Sequence, residues 1–372
     1  MGQDFITPRY GGASLASLLP SIEARLAGDT PVLDIPKASR YVLFLVDGLG
    51  WYPLEKHADH ADTLAERLSS AMELTCSVPS TTATSLTSLG CGIWPGQHGV
   101  VGYTFLDPAQ DQLLNALTWE GGPPDVSSFR CHDTAFQRLA IAGTSSAAVS
   151  LERFASSALT QLAFEGTDHL GITREGNSEH FIDLVLESLT ANHVVYCYER
   201  MLDHDGHGHG VGSWQWLERL VQVDEMVAEL AAQLPPDTCL LVTGDHGMVN
   251  VPDERKIVAE DEPALSGCRH IGGEARFRQL YCEKPTRVAA AWGEFLGERA
   301  HVVTRNQALD EGWFGPTVDR RVVPRIGDVL VAMRQDWGVM TAAFPGEFSL
   351  VGMHGSLTAE EMVVPLFSFD PR

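Results

Sequence analysis

Five short segments of this chain carry side chains that could do chemistry together. Asp47 directly follows the apolar run 41–46 and precedes Gly48. A carboxylate at the end of a buried strand is costly to desolvate unless something compensates it, although alone it also fits a turn or a helix cap. In 202–210, Asp203, His204, Asp205, His207 and His209 stand within seven residues, interleaved with Gly206, Gly208 and Gly210. Carboxylate oxygen and imidazole nitrogen suit zinc, manganese or iron, and the glycines suggest a loop folded tightly around an ion. Asp245 and His246 are adjacent at the end of the run 238–243, where they can grip one ion from two sides. His354 lies in Gly352-Met353-His354-Gly355-Ser356 and is unremarkable by itself. In Pro79-Ser80-Thr81-Thr82-Ala83, a Ser/Thr run before apolar residues at helical spacing marks a helix start. A hydroxyl there meets free N–H groups that favour phosphate oxygens, though plain N-capping explains it equally when it is taken alone. Two ions need about six or seven donors. Asp47, Asp203, His207, Asp245, His246 and His354 supply six, and a threonine alkoxide the seventh.

These residues sit where strands should end. The short continuous apolar runs 41–46, 147–151, 193–198 and 238–243 read as buried parallel strands. Helical apolar spacing occurs at 14–26, 59–68, 181–190 and 214–233. Strands alternating with helices predict an α/β fold, a doubly wound, mostly parallel sheet with helices on both faces, whose site lies at the carboxyl ends of the strands. After Asn250 the pattern changes: 274–281 reads as a strand, 287–295 as a helix, 300–304 as a strand and 307–312 as a short helix. Residues 252–325 are therefore expected to be a small α+β insertion. The core would comprise 1–251 and 326–372, with the main sheet resuming near 326–333 and ending with 362–369.

Composition bounds the function. The 372 residues are 44% hydrophobic and 20% charged, with formal net charge -23. Such a surface repels nucleic-acid polymers and anionic membranes, but bound cations can reverse the local field for an anionic small-molecule substrate. The seven cysteines, Cys76, Cys91, Cys131, Cys197, Cys239, Cys268 and Cys282, show no C-x-x-C spacing, which suggests free thiols rather than a disulfide framework. Residues 1–10 show no leader pattern, and no apolar run is long enough to span a membrane. A cytoplasmic location is the expectation.

The order Asp at the first strand, Thr at a helix start, Asp-x-x-x-His, Asp-His and a late His-Gly resembles the nucleotide pyrophosphatase/phosphodiesterase family of the alkaline phosphatase superfamily, including its bacterial type I phosphodiesterase-like members. The stretch 80–102, with Trp94-Pro95-Gly96-Gln97-His98-Gly99, looks like that family's nucleophile segment and puts the nucleophile on Thr82, with Thr81 its nearest rival. The resemblance implies two ligand groups: Asp47, Thr82, Asp245 and His246 for the ion that activates the nucleophile, and Asp203, His207 and His354 for the ion beside the leaving group. His204, Asp205 and His209 fall outside the pattern. Two departures bear on specificity. Ala83 stands where eukaryotic members carry a base-stacking aromatic residue, and Tyr103 stands where they carry a phosphate-binding asparagine.

The implied activity is hydrolysis of phosphodiester or pyrophosphate bonds through a phospho-threonine intermediate, with two divalent ions, zinc in the first place and manganese or iron compatible with the donors. Phosphonate hydrolases such as phosphonoacetate hydrolase share the threonine and the metal pair, and a phosphomonoesterase is a further alternative on this scaffold. A sulfatase lacks its C/S-x-P-x-R motif here. A non-catalytic metal-binding protein is the reading from a different class. Around the pocket, Trp51, Tyr52, Tyr103 and Trp119 could stack on a ring or merely pack. Arg269, His270, Arg276 and Arg278 could meet a second phosphate or form a polar face.

Overall fold

A computed structural model describes residues 5–130 and 132–371. Cys131 and residues 1–4 of the N-terminal stretch lie outside the described residues.

The strand Arg40–Val46 is the axis of the molecule. It pairs in parallel with Val194–Glu199 on one side and Thr238–Gly244 on the other. Its side chains are buried on both faces, which is why the run is continuously apolar. Tyr41, Leu43 and Leu45 join one core with residues of the helices Leu18–Ala27 and Thr82–Cys91. Val42, Phe44 and Val46 join a second core with residues of Ser178–Ser188 and Trp214–Gln233. In that last helix Leu220, Val223, Val227 and Leu230 form one apolar stripe.

The seven-stranded sheet runs in the order Met72–Thr75, Val363–Phe369, Thr238–Gly244, Arg40–Val46, Val194–Glu199, Ser146–Leu151, Asp168–Ile172. Val363–Phe369 is antiparallel to both its neighbours, and the pairs beyond it are parallel. The two outermost strands, Met72–Thr75 and Asp168–Ile172, escape the sequence pattern because each exposes side chains at the sheet edge.

A second sheet has four antiparallel strands in the order His270–Glu274, Phe277–Tyr281, Val329–Met333, Ala300–Thr304. Two expectations are corrected here. The strand expected over 274–281 is shorter, Phe277–Tyr281, and is the second arm of a hairpin whose first arm, His270–Glu274, ends at Glu274. Residues 326–333 do not resume the main sheet: Val329–Met333 is the strand between Phe277–Tyr281 and Ala300–Thr304, so the small sheet runs past residue 325. Its residues Val329, Val331 and Met333 pack with Val288, Trp292 and Leu296 of the helix Pro285–Leu296, a contact that period-2 apolarity alone cannot assign to one sheet or the other.

The segment 202–210 is also corrected. It is not a loop but the helix Met201–His209, closed by Gly210 at φ 89°. Gly206 serves packing rather than bending: a Cβ there would come within 2.5 Å of Met248 Sδ.

The six described cysteines are free, with Cys76, Cys91, Cys197 and Cys239 buried. Among the described residues no helix is long and apolar enough to cross a membrane.

Candidate active site

Strand register builds the centre of the site. Val46 lies opposite Gly244 in the parallel ladder, so the next residues, Asp47 and Asp245, emerge side by side at the carboxyl edge of the sheet. Both are buried. Asp245 Oδ1 accepts from the backbone N–H of Gly48 (3.1 Å) and of His246 (3.0 Å). Asp47 Oδ2 accepts a short hydrogen bond from the Tyr198 hydroxyl. Gly48, at φ 77°, allows the helix Met201–His209 to pass close by, since a Cβ there would stand 3.0 Å from Asp203 Cβ. That helix presents Asp203 and His207 one turn apart, with Oδ2 and Nε2 separated by 3.4 Å. His354 arrives from the far end of the chain on the strand Gly352–Met353, which pairs with Val249–Asn250 just after His246.

All three imidazoles are anchored in the same way. His207 Nδ1 donates to Gly352 O (2.7 Å), His246 Nδ1 to Gly247 O (3.0 Å) and His354 Nδ1 to Ser80 O (2.8 Å). A carbonyl only accepts, so each Nδ1 holds the proton and each Nε2 carries a lone pair. Those lone pairs face carboxylates. His246 Nε2 lies 3.4 Å from both Asp47 Oδ1 and Asp245 Oδ2, and His354 Nε2 lies 3.8 Å from Asp203 Oδ1. The same three oxygens, Asp47 Oδ1, Asp203 Oδ1 and Asp245 Oδ2, are buried without a hydrogen-bond partner. Acceptors facing acceptors in a buried cluster repel one another unless cations lie between them. The donor set therefore fits divalent ions.

Two groups have ligand atoms within 4.8 Å of one another: Asp47, Asp245 and His246, and Asp203, His246 and His354. His246 thus stands between both groups, and its ring stacks on His354 with centroids 3.7 Å apart. The electrostatics agree. Burial first, then the charges of Asp245 and Asp203, pushes the Asp47 carboxyl well above its usual range, against the Tyr198 hydrogen bond. Burial likewise raises Asp245, with His246 opposing. Burial, followed by His246 and His207, pushes His354 well below the ordinary imidazole value.

Thr82 is the first residue of the helix Thr82–Cys91, and its Oγ1 lies 3.2 Å from His246 Nε2. The N-cap residue, Thr81, makes no side-chain cap, so the first turn keeps N–H groups free for a ligand. Thr81 instead hydrogen-bonds Glu274, which separates it from its neighbour. Ser80 anchors the turn to the His354 segment, its Oγ donating to Ser356 O (2.6 Å) and accepting from Gly355 N (3.1 Å). Ala83 is fully buried in the core.

A cavity of about 670 Å³ opens on this cluster, lined among others by Asp47, Thr82, Tyr103, Asp203, His207 and His354. The other candidates separate from it. Trp51 and Tyr52 stand off the cavity lining. Trp119 packs edge-on against Phe129 and donates to Pro123 O. Arg276 and Arg278 are buried in ion pairs with Glu361 and Glu347, and Arg269 pairs with Asp111. His270 lies 3.9 Å from the same Asp111. His204 is exposed, Asp205 is held by Arg219, and His209 by Gln215. Two pocket residues escaped the sequence reading, Tyr198 and Glu274. Tyr198 meets Asp47, 151 residues away in the chain, and Glu274 comes from the small sheet to the N-cap Thr81 of the helix Thr82–Cys91, so no local spacing signals them.

The model of a family described as Type I phosphodiesterase / nucleotide pyrophosphatase matches residues 41–357. Among solved structures, murine ectonucleotide pyrophosphatase / phosphodiesterase 5 superposes with TM-score 0.69 at 17% identity, covering 89% of this chain and 88% of that one. An inactive threonine-to-alanine variant of the murine protein, in complex with AMP, superposes equally well. Phosphonoacetate hydrolase from Sinorhizobium meliloti 1021, in complex with phosphonoacetate, gives TM-score 0.68 at 16% identity, covering 91% and 92%. The catalytic subunit of GPI ethanolamine phosphate transferase 3 from Homo sapiens is 40% identical over 52 residues, which span 14% of this chain and only 5% of that protein.

Proposed function

The chain belongs to the type I phosphodiesterase / nucleotide pyrophosphatase family of hydrolases, and from that premise we propose that it cleaves phosphodiester or pyrophosphate bonds with Thr82 as nucleophile. The observation that carries the reading is the set of unpartnered, mutually facing acceptor atoms beside the Thr82 hydroxyl. Asp47, Thr82, Asp245 and His246 would hold one divalent ion, and Asp203, His207 and His354 a second, zinc being the expected metal. When bound, such ions lower the pKa of a coordinated hydroxyl and neutralise charge on a departing oxygen.

The chain's own residues do the rest. Tyr198 and the Gly48 and His246 N–H groups fix the carboxylates, and three backbone carbonyls fix the imidazoles. The buried Thr82–Cys91 helix holds Oγ1 at the cavity wall, and its first-turn N–H groups face the non-bridging phosphoryl oxygens. Thr82 Oγ1 bonds to phosphorus as the ester oxygen leaves, giving a phospho-threonine. Water then replaces Thr82 at phosphorus and restores the hydroxyl. The murine relative described as inactive after a threonine-to-alanine change supports a threonine in this role.

Thr82→Ala should lower kcat/KM on bis-p-nitrophenyl phosphate by about 10³-fold or more, with metal content measured by elemental analysis largely retained. Undiminished turnover would remove Thr82 from the mechanism. Rates on bis-p-nitrophenyl phosphate, p-nitrophenyl phosphate and phosphonoacetate separate the diesterase from the monoesterase and the phosphonate hydrolase, and a diester preference is expected.

A further inference from the structure

The face of the main sheet turned away from Thr82 carries a second cavity, of about 320 Å³. That volume is in the lower range of small-molecule sites. Strand alternation places Glu199 with Val195 and Cys197 on this face, whereas Tyr196 and Tyr198 belong to the Thr82 side. Leu151, Ile172, Phe181, Val223 and Met226 of the second core, with Phe154 packed against it, give the cavity apolar walls.

Its polar groups are unevenly matched. Four carboxylates, Glu175, Glu199, Glu225 and Glu229, line it against two guanidinium groups, Arg200 and Arg219. Both guanidinium groups are engaged: Arg200 Nε donates to Glu175, and Arg219 gives Nε to Asp205 and Nη1 to Gln222. Glu225 and Glu229 are exposed at the rim, one turn apart on the helix Trp214–Gln233. Glu199 is more enclosed. Its Oε1 accepts from the Met201 N–H (2.8 Å), while its Oε2 is buried and has no hydrogen-bond partner among the described residues. A buried acceptor left unmatched is costly, and a ligand that brings a donor recovers that cost. The excess of negative charge makes a cationic donor the better match.

We propose that this cavity is a second ligand site, separate from the catalytic one, which takes a small organic cation: an ammonium group on an apolar stem. The ammonium donates to Glu199 Oε2, the stem lies against the apolar walls, and the rim carboxylates of Glu225 and Glu229 attract the cation on approach. The site does not depend on the diesterase reading. It borders the catalytic edge all the same. Tyr198, which lines both cavities, donates to Asp47, and Met201 opens the helix that carries Asp203 and His207.

Calorimetry on the holoenzyme with hexylamine, 1-hexanol and hexanoate tests the site. The expected order of affinity is amine, then alcohol, then carboxylate. Glu199→Gln, which keeps an acceptor for the Met201 N–H, should weaken hexylamine binding about tenfold or more and change 1-hexanol far less. Should that variant fail to fold, Glu225→Gln combined with Glu229→Gln, both at the exposed rim, should weaken hexylamine about threefold at low salt and less at high salt; an unchanged affinity there overturns the site. No saturable hexylamine binding in the wild type, equal affinity for amine and alcohol, or an unchanged amine-to-alcohol ratio in Glu199→Gln also overturns it. So does a loss of hexylamine binding in Glu274→Gln rather than in Glu199→Gln, which would put the amine in the catalytic cavity, where Glu274 Oε1 is also unmatched.

Discussion

Two regions of this molecule bury several charges within a few ångströms, and they handle them in opposite ways. Behind the small sheet, Arg276 is fully buried and gives Nε and Nη2 to Glu361 at 3.0 and 2.7 Å. Glu361 also accepts from Ser356 N and Thr358 Oγ1. Nearby, Arg278 pairs with Glu347 and donates to Val339 O and Gly273 O. At the edge of the main sheet, Asp47, Asp203 and Asp245 crowd three imidazole lone pairs and leave three oxygens unmatched. The first region is complete as it stands and fastens the small sheet to the His354–Thr358 segment. The second is incomplete without cations. Buried charge is thus weak evidence of function, whereas buried charge of one sign with unmatched acceptors is strong evidence.

The largest effect expected from this contrast concerns the cations. Removing divalent metal with a chelator should abolish phosphodiesterase activity, and adding zinc or manganese should restore it. Asp245→Ala should lose both activity and one equivalent of bound metal by elemental analysis. Full activity in a metal-free preparation would erase the distinction between the two regions. The satisfied region should respond in stability instead. Glu361→Gln leaves the Arg276 guanidinium buried without its countercharge, and breaking such a pair costs about 3–5 kcal/mol. Urea denaturation of the metal-loaded protein measures it. A loss below about 1 kcal/mol would mean that Arg276 finds other compensation.

Much of the site was legible because its chemistry is concentrated at strand ends. Asp47 and Asp245 could be placed together from two apolar runs alone, since parallel strands end at the same edge. The helix carrying Asp203 and His207 was not legible. Two glycines within the nine residues and a third directly after them argue against helix by intrinsic propensity, and only Met248, packed on Gly206, explains why one is required. The strand Val329–Met333 was misassigned for a related reason: its apolar run fits either sheet, and its partners lie tens of residues away. Tyr198 and Glu274 reach the site from strands whose local pattern reads as core, so they became visible only with the three-dimensional arrangement.

The smallest effect is the sharpest test of the unmatched region, because it should run against the usual direction of a mutation. In the metal-free protein, burial and the neighbouring Asp245 and Asp203 raise the Asp47 pKa in the fold. Above the unfolded carboxylate value of about 4, the unfolded chain then binds fewer protons than the native one. The contribution of Asp47 to stability is therefore present below about pH 4 and is lost as pH rises through its folded pKa. Asp47→Asn removes that ionisation. Its stability relative to wild type, both chelated, should shift steadily in favour of the variant as pH rises above about 4. With metal restored the order should reverse, since the amide is the poorer ligand. Thermal melts at a low and a higher pH, with and without chelator, give all four comparisons. A metal-free wild type at least as stable as Asp47→Asn at the higher pH would show that the carboxylates do not oppose one another, and that this edge of the sheet is no different from the paired charges behind the small one.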